Sequence, residues 1–483
     1  MSFRKNEVQQ MTFSDTMFGL TQREQKALKN SWAQVFADEI FPAIDESRFG
    51  VLYSDKASRP NTPVNVIIGA LILKELFDKS DDELVEDILL DPRFQYALHT
   101  TSFGEQPVSD KTFSRFRERC YDYEQLHGVD LYHDCITDLA AKSAKLIKID
   151  GRIRRMDSLM VEANIRTLSR MELLYRCISK LVCFLHKSGH DDRITSMEHY
   201  YDPDDYNRVI YHSRSTEVQD RLQTLLEDAD KLIENCGDRF LDATEYQLLV
   251  RCLAEQTIVD GGKRRMKTKA DGDMTSHVLQ NPSDPDATYR EKAGKKHRGY
   301  VANVEESVGE NGSIVTGYQF ETNNTSDSAM LKDYLENMEE PKDPTVLITD
   351  GAYAGEENTR LAAGKNITLV TTDLPGRDVP EIFGGFELNK DQTRVLKCPA
   401  GNVPKSASYI RQSGTCTASF ERSVCENCPL KDQCRPQLFK RVAKVRVTGK
   451  QIRRAQQQKQ MKSEEFKLYA RLRNGVETIP SIL

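Results

Sequence analysis

The chain has 483 residues, with 68 Lys and Arg against 74 Asp and Glu, a formal charge of −6, and 38% hydrophobic and 29% charged residues. At ~150 residues per domain, this is enough chain for two to four folded domains with extensive polar surface. The balance excludes a collagen-like, wholly disordered or acid-tailed protein, and one that coats DNA by bulk charge alone, but not one whose charge is segregated along the chain.

The first residues, Met1-Ser2-Phe3-Arg4-Lys5, lead into no apolar core and do not form a secretory signal. The longest apolar run, Val64 to Leu73, contains an Asn and a Gly and falls far short of the ~20 residues of a membrane span. The expected compartment is the cytoplasm. A helix is predicted over 21–38. Residues 41–120 read as a compact helical domain, in which Val64, Ile67, Ile68, Leu71, Ile72 and Leu76 keep a helical period. Ser80 and Glu83 form a capping pattern for a helix that Pro92 closes. Between Ser109 and Arg119, Lys111, Arg115, Arg117 and Arg119 alternate with Phe113 and Phe116. A helix there has a basic and an aromatic face. It suits either an ordinary amphipathic surface helix or phosphate contact.

Residues 145–149, then Asp150-Gly151, then 152–156 read as strand, turn and strand, ending at Asp157-Ser158 ahead of a helix. From 160 to about 257 the pattern is helical. One stripe is Leu168, Met171, Leu174, Ile178, Leu181 and Leu185. A second is Leu222, Leu225, Ala229, Leu232 and Ile233, with Gly237 able to end its helix. A third helix begins near Thr244, with Gln247 three residues on. Residues 297–305 and 313–320 are predicted to pair around Gly309, Asn311 and Gly312. A helix over 326–338 leads into the apolar run 345–349, which ends in Asp350. A helix closed by Gly364 and the strand 367–370 complete a β–α–β unit with a parallel sheet.

Six of the eleven cysteines are scattered singly through the first 252 residues and read as small core side chains; the other five fall between 398 and 434. Cys425 and Cys428 make a Cys-x2-Cys knuckle, with Cys398 before it and Cys434 after it, a set suited to a tetrahedral structural Zn2+ or else to reduced, metal-free thiols. Cys416 is a substitute ligand in that scheme. Cys183, His186 and His190 have ligand-like spacing but sit on or after an amphipathic helix, where packing and surface roles fit better.

Two acids stand at predicted strand ends. A carboxylate beyond the carboxyl end of a strand is placed to hold a metal ion. The plainer reading of Asp157 is a helix cap, and that of Asp350 is a turn residue before Gly351. Together in one sheet they suit two-metal phosphoryl transfer. Basic residues concentrate in 261–300 and, thirteen of them against Glu464 and Glu465 alone, from Arg435 to Arg473. They form either a solvated basic face or a phosphate track.

Four stretches carry a resemblance over most of the chain: Arg59-Pro60 to Asp110-Lys111-Thr112-Phe113-Ser114-Arg115-Phe116-Arg117; Met156-Asp157-Ser158 to Asn164; Asp286-Ala287-Thr288-Tyr289 to Gly299-Tyr300, with Asp350-Gly351-Ala352-Tyr353; and Tyr469 to Glu477. In that order they are similar to the DDE transposases of bacterial insertion sequences. The resemblance implies an α/β chain: an RNase H-like mixed sheet with a helical insertion, an all-α N-terminal domain and a small Cys-rich, zinc-ribbon-like insertion. The expected boundaries are 1–143 for a helical DNA-binding and dimerisation domain and 144–483 for the catalytic domain, with insertions at about 160–257 and 385–446. Asp157, Asp350 and Glu477 become the catalytic ligands of two Mg2+ ions, with Mn2+ able to stand in, and Asp150 competes for the first position. Arg473, Lys295, Lys296, Arg298, Arg115 and Arg117 become DNA contacts, and Cys398, Cys425, Cys428 and Cys434 the structural Zn2+ ligands. Tyr469 stands one position off the family spacing.

The implied activity is cutting transposon ends and joining the freed 3′-OH to target DNA. The partners are double-stranded DNA, as terminal inverted repeats and target, and a second copy of the chain. The expected location is the bacterial cytoplasm, on the nucleoid when DNA is bound. The family pattern also has a Lys seven residues after the Glu, one position past Leu483. A truncated, catalytically impaired DNA-binding remnant is therefore the alternative, and a nuclease that never joins strands is a third reading.

Overall fold

The computed structural model describes residues 1–6, 15–54, 56, 58–104, 106–211, 218–272, 275–292, 294–374 and 378–475. It divides into two compact units, 1–153 with 306–317, and 154–305 with 318–483.

The first unit is mainly helical. Thr21 caps α1 (Gln22–Lys29) in a reciprocal capping box with Glu24. The helix predicted over 21–38 is interrupted because Ser31 caps a fresh turn, Trp32–Val35, which passes into a π turn. The apolar run becomes α2 (Val64–Leu76), buried on nearly all sides. Ser80 and Glu83 cap α3 (Asp81–Leu90) as predicted. Pro92 both closes that helix and opens α4 (Pro92–Ala97), where its missing N–H costs nothing. Phe113 and Phe116 anchor α5 (Asp110–His127) in a core shared with Phe41, Phe49, Ile68 and Leu98. Asp130 accepts from the Tyr132 and His133 amides and starts α6 (Leu131–Leu146). The predicted strand 145–149 is thus the end of a helix and a turn. Leu146 and Ile147 alternate with lysines, but Leu131, Cys135, Leu139 and Ala144 already set a helical stripe that carries the chain to Leu146.

The second unit holds most of the main sheet and three cores. A single strand, β1 (Ile153–Glu162), replaces the predicted second strand and runs past Asp157, because Leu159, Met160 and Val161 extend the apolar run. The helices that follow include α7 (Arg170–Lys187), α8 (Val218–Cys236) and α9 (Thr244–Gln256). Their stripes, with Leu174, Ile178, Leu181, Ala229, Leu232 and Leu249 fully or almost fully buried, form a core of their own. Gly237 follows α8 at φ +52, as its predicted terminator, whereas α9 begins after Ala243 with no side-chain cap.

The sheet strands are β2 (Thr288–Lys292), β3 (Lys295–Gly309) and β4 (Gly312–Thr322). After α10 (Asp327–Asn337) come β5 (Thr345–Thr349), α11 (Glu356–Gly364) and β6 (Ile367–Thr371). The order is β2-β3-β1-β5-β6, with β4 also pairing β3, in a six-stranded sheet. β2 and β3 are antiparallel and β5 and β6 parallel, so the sheet is mixed. Met156, Leu331, Leu335, Leu347, Tyr353 and Ile367 pack the helix layer beneath it.

A second, four-stranded sheet follows, with β7 (Ser406–Ile410), β8 (Thr415–Glu421), β9 (Gln437–Leu438) and β10 (Val442–Thr448) in the order β7-β8-β10-β9. Cys416, Ala418, Phe420, Val445 and Val447 form its inner face. Helices α12 (Gly449–Gln460) and α13 (Glu464–Asn474) end the described chain. No helix among the described residues is long and apolar enough to cross a membrane.

Gly299 is the tightest point of the main sheet. At φ +144, a Cβ there would overlap Val161 O and stand 2.5 Å from Ala163 N, beside the 2.9 Å bond from that amide to Arg298 O. Gly299→Ala is expected to destabilise the second unit by about 3 kcal/mol. Gly364→Ala, at the open end of α11, should be neutral or slightly stabilising. Denaturant midpoints of the two variants check the contrast.

Candidate active site

Alternation along β1 deals its side chains to two helices. On one face Met156 is buried against Leu331 and Leu335 of α10. Next on that face, Ser158 donates from Oγ to Asp327 Oδ1, at the start of α10, at 2.8 Å. On the other face Arg155 and Asp157 meet the last turn of α13. Buried Arg155 donates from Nη1 to the Leu472 carbonyl at 2.6 Å, capping an open helix end with positive charge. Gly475 makes room for this clamp, since a Cβ there would collide with the Arg155 guanidinium.

The clamp sets Arg473 over the sheet. Its Nη2 lies 3.1 Å from Asp157 Oδ2 and 3.9 Å from Asp350 Oδ2. β1 and β5 are neighbours, so strand pairing itself brings the two carboxylates together. Asp157 lies within β1 and not at its end, and it caps no helix. Its Oδ1 accepts from the Ser158 amide at 2.9 Å. Burial pushes the Asp157 carboxyl above its ordinary value, and Asp350 adds to the rise. Arg473, the Ser158 amide and the Lys292 ammonium oppose it.

Asp350 directly follows β5, as predicted, and caps the next turn through Ala352 N at 2.8 Å. Three contacts hold that turn. The fully buried Tyr353 donates its hydroxyl to Asn303 Oδ1 at 2.7 Å, Asn303 in turn bonds Gln319, and Asn358 donates to the Tyr353 carbonyl at 3.0 Å. Burial raises the Tyr353 hydroxyl, with the charges of Asp327, Asp157 and Asp350 adding to it, so the ring stays a neutral donor. Arg155, Asn303 and Asn358 were missed by reasoning from the sequence. A polar Asn303 inside the apolar run of β3 is the one local signal among them.

Glu477 lies outside the described residues. Asp150, exposed in the turn before β1, accepts from the Arg152 amide and takes no part in this group. Tyr469 donates to Glu465 on its own helix at 3.2 Å.

Lys295 and Lys296 are exposed on β3, opposite Lys292 and Glu291 of β2. Arg298 lies 5.5 Å above the Tyr289 ring and reaches Gln280 and Thr167, each at 3.3 Å. Arg115 and Arg117 belong to the first unit. Arg115 is exposed, and Arg117 makes a two-pronged pair with Asp81 at 2.7 and 2.8 Å.

Cys398, Cys425, Cys428 and Cys434 line one cavity of about 20 Å³, room for a single water-sized occupant. Burial, helped by the other three cysteines, pushes the Cys434 thiol up to about 11. Cys416 points into the small sheet's core, with its thiol 3.3 Å from Gln392 O, away from that cavity. Among the described residues no three His, Cys, Asp or Glu side chains are grouped to hold a metal ion. His186 pairs with Asp191 at 2.7 Å and His190 abuts Phe240.

Folding favours protonated Asp157, so its penalty is absent below the unfolded value. The penalty grows as pH rises toward the raised folded value and is constant above it. Metal-free Asp157→Asn should therefore melt higher than the parent at pH 7, with the gap closing toward the ordinary Asp value of 3.8. Thermal melts across pH measure this.

Residues 22–119 match the family model described as Transposase domain (DUF772), and residues 397–482 match the one described as Transposase DDE domain. No curated protein and no solved structure matches the chain significantly.

Proposed function

The chain belongs with the insertion-sequence DDE transposases, which its two family matches indicate, and on that premise we propose how its residues cut and join DNA. The observation that carries the reading is one guanidinium nitrogen within 3.9 Å of carboxylates from two neighbouring strands. A pair that needs a cation to coexist suits hard divalent ions, and the bound Arg473 is a stand-in for them. Asp157, Asp350 and Glu477 would hold two Mg2+ ions, or Mn2+, which when bound supply charge stabilisation at the attacking and leaving oxygens.

The protein's own part is positional. The sheet fixes Asp157, and the Tyr353–Asn303–Asn358 contacts fix Asp350. Arg473, freed from the carboxylates, is a phosphate contact beside them. Lys295, Lys296 and Arg298 on the hairpin would add contacts to the backbone of the terminal repeats or target duplex, and Arg115 and Arg117 would supply contacts of the helical unit's own. A homodimer suits an element with two ends. The mixed sheet, with antiparallel strands toward one edge and a parallel pair at the other, supports the RNase H-like reading, with about 160–257 as the helical insertion and about 385–446 as the Cys-rich one. In the latter, the four cysteines of the common cavity would hold a structural Zn2+. Burial and the neighbouring cysteines raise the half-buried thiols of Cys425 and Cys434, which would give up their protons on binding the ion.

The test is Mg2+-dependent nicking and joining of labelled DNA carrying the element's own ends. Asp157→Asn and Asp350→Asn should each lower the rate about a thousandfold or more while still binding DNA. Binding without cleavage in the parent as well would favour the impaired remnant, and cleavage without joining would favour the plain nuclease. Cleavage that survives in both variants would refute the ligand assignment. For the cysteines, elemental analysis should find one Zn2+ per chain, and Cys428→Ser should lose it with a lower melting temperature. A parent chain without zinc would make the four thiols packing residues.

A further inference from the structure

The small sheet β7-β8-β10-β9 has one apolar face and one that nothing among the described residues covers. On β8, Cys416, Ala418 and Phe420 point inward, so Thr415, Thr417 and Ser419 point out. On β10, Ala443, Val445 and Val447 point inward, so Lys444 and Arg446 point out. The register aligns these positions in rows: Ser406, Ser419, Lys444 and Gln437 form one, and Ser408, Thr417 and Arg446 the next. Two cations on a central strand are thus flanked by hydroxyls and an amide.

Charge points the same way. Residues 403–448 hold nine Lys and Arg and three acids, in a chain whose total is −6. Two of those acids are already paired, Glu421 with Lys405 and Glu426 with Arg422. No ion pair engages Lys444 or Arg446 among the described residues. The Lys444 ammonium rests 5.3 Å above the Phe439 ring. One exposed ring, Phe439, borders the face beside Lys444, but outward positions on the four strands carry none, so the face has no row of rings on which successive bases of a single strand could stack. Hydroxyls and cations spaced two strand residues apart, ~7 Å, instead match a phosphate backbone.

We propose that this outward face, centred on Lys444 and Arg446, grips the backbone of duplex DNA through residues different from those around the carboxylate pair. The contact rests on the transposase reading above and extends it to a second surface. It is a holding surface, without sequence readout, on the segment directly preceding α12 and α13.

The test uses the full-length chain and a 40-bp duplex of arbitrary sequence, without added Mg2+, with binding followed by anisotropy between 50 and 200 mM salt. Lys444→Ala/Arg446→Ala should bind more weakly, and its log–log salt slope should be shallower by about 1.8, near 0.9 for each phosphate no longer neutralised. Lys187→Ala/Lys231→Ala, with the same charge change at exposed positions of α7 and α8, should keep the parent slope. Thr417→Glu places an acid in the middle of the face and should weaken binding with the melting temperature unchanged, which separates charge from misfolding. A parental slope in the double variant overturns the proposal. So does tighter binding of a 40-nucleotide single strand that depends on the same two residues. A parent chain that cleaves transposon ends while the double variant keeps its slope refutes this face alone. A parent that neither cleaves nor binds duplex refutes the transposase reading with it.

Discussion

Two carboxylates on adjacent strands repel each other, and the rest of the second unit is arranged around that fact. Strand pairing of β1 with β5 brings Asp157 and Asp350 close, and burial makes the ionised form of Asp157 costly. An apolar environment would protonate or separate them. Here a guanidinium answers both, delivered by a helix whose last turn is tied to β1 through a main-chain carbonyl. The tie and the carboxylate are two residues apart on the strand, so they share a face. The opposite face is left to Met156 and Ser158 and to the helix layer. One ten-residue strand therefore fixes two helices and half of a charged site.

The other half gains rigidity differently. Asp350 sits on a turn, and turns are the least constrained part of an α/β layer. Buried polar contacts compensate: the Tyr353 hydroxyl to β3, and Asn358 from α11 to the carbonyl behind it. Such contacts are worth little in net stability but are costly to leave half-made, so they select one geometry. The result is a pair of acids held from independent directions, as a site needing sub-ångström placement requires.

Elements defined by local chemistry were legible in the residues. The capping pair Ser80 and Glu83, the stripe from Leu174 to Leu185, the hairpin around Gly309 and Gly312, and the β–α–β unit after 345 lie where turn residues and periodicity put them. Asp350 after its strand was legible for the same reason. The failures are of two kinds. Around 145–149, lysines alternate with Leu146, Ile147 and Ile149 in a pattern that fits both a period of two and the close of a helix. The stripe from Leu131, which needs a longer window, decides it. The Arg155 clamp joins residues 317 positions apart through a backbone oxygen, so no side-chain pattern near either partner announces it. Asn303 and Asn358 likewise declare themselves only once burial is known.

The sheet order has a consequence for how the chain is made. β1 is synthesised first among the strands of the main sheet, yet its neighbours are β3 and β5, beginning at residues 295 and 345. At roughly 5–20 residues per second, a ribosome needs on the order of ten to forty seconds to travel from the end of β1 to β5. Until β3 is made both edges of the strand bearing Asp157 are open, and until β5 is made one still is, the state in which strands pair with the wrong partner. The helices between 170 and 256 close a core of their own in the meantime. The nascent chain thus carries a finished helical body while its central strand waits, which makes the order of translation part of how this sheet is assembled.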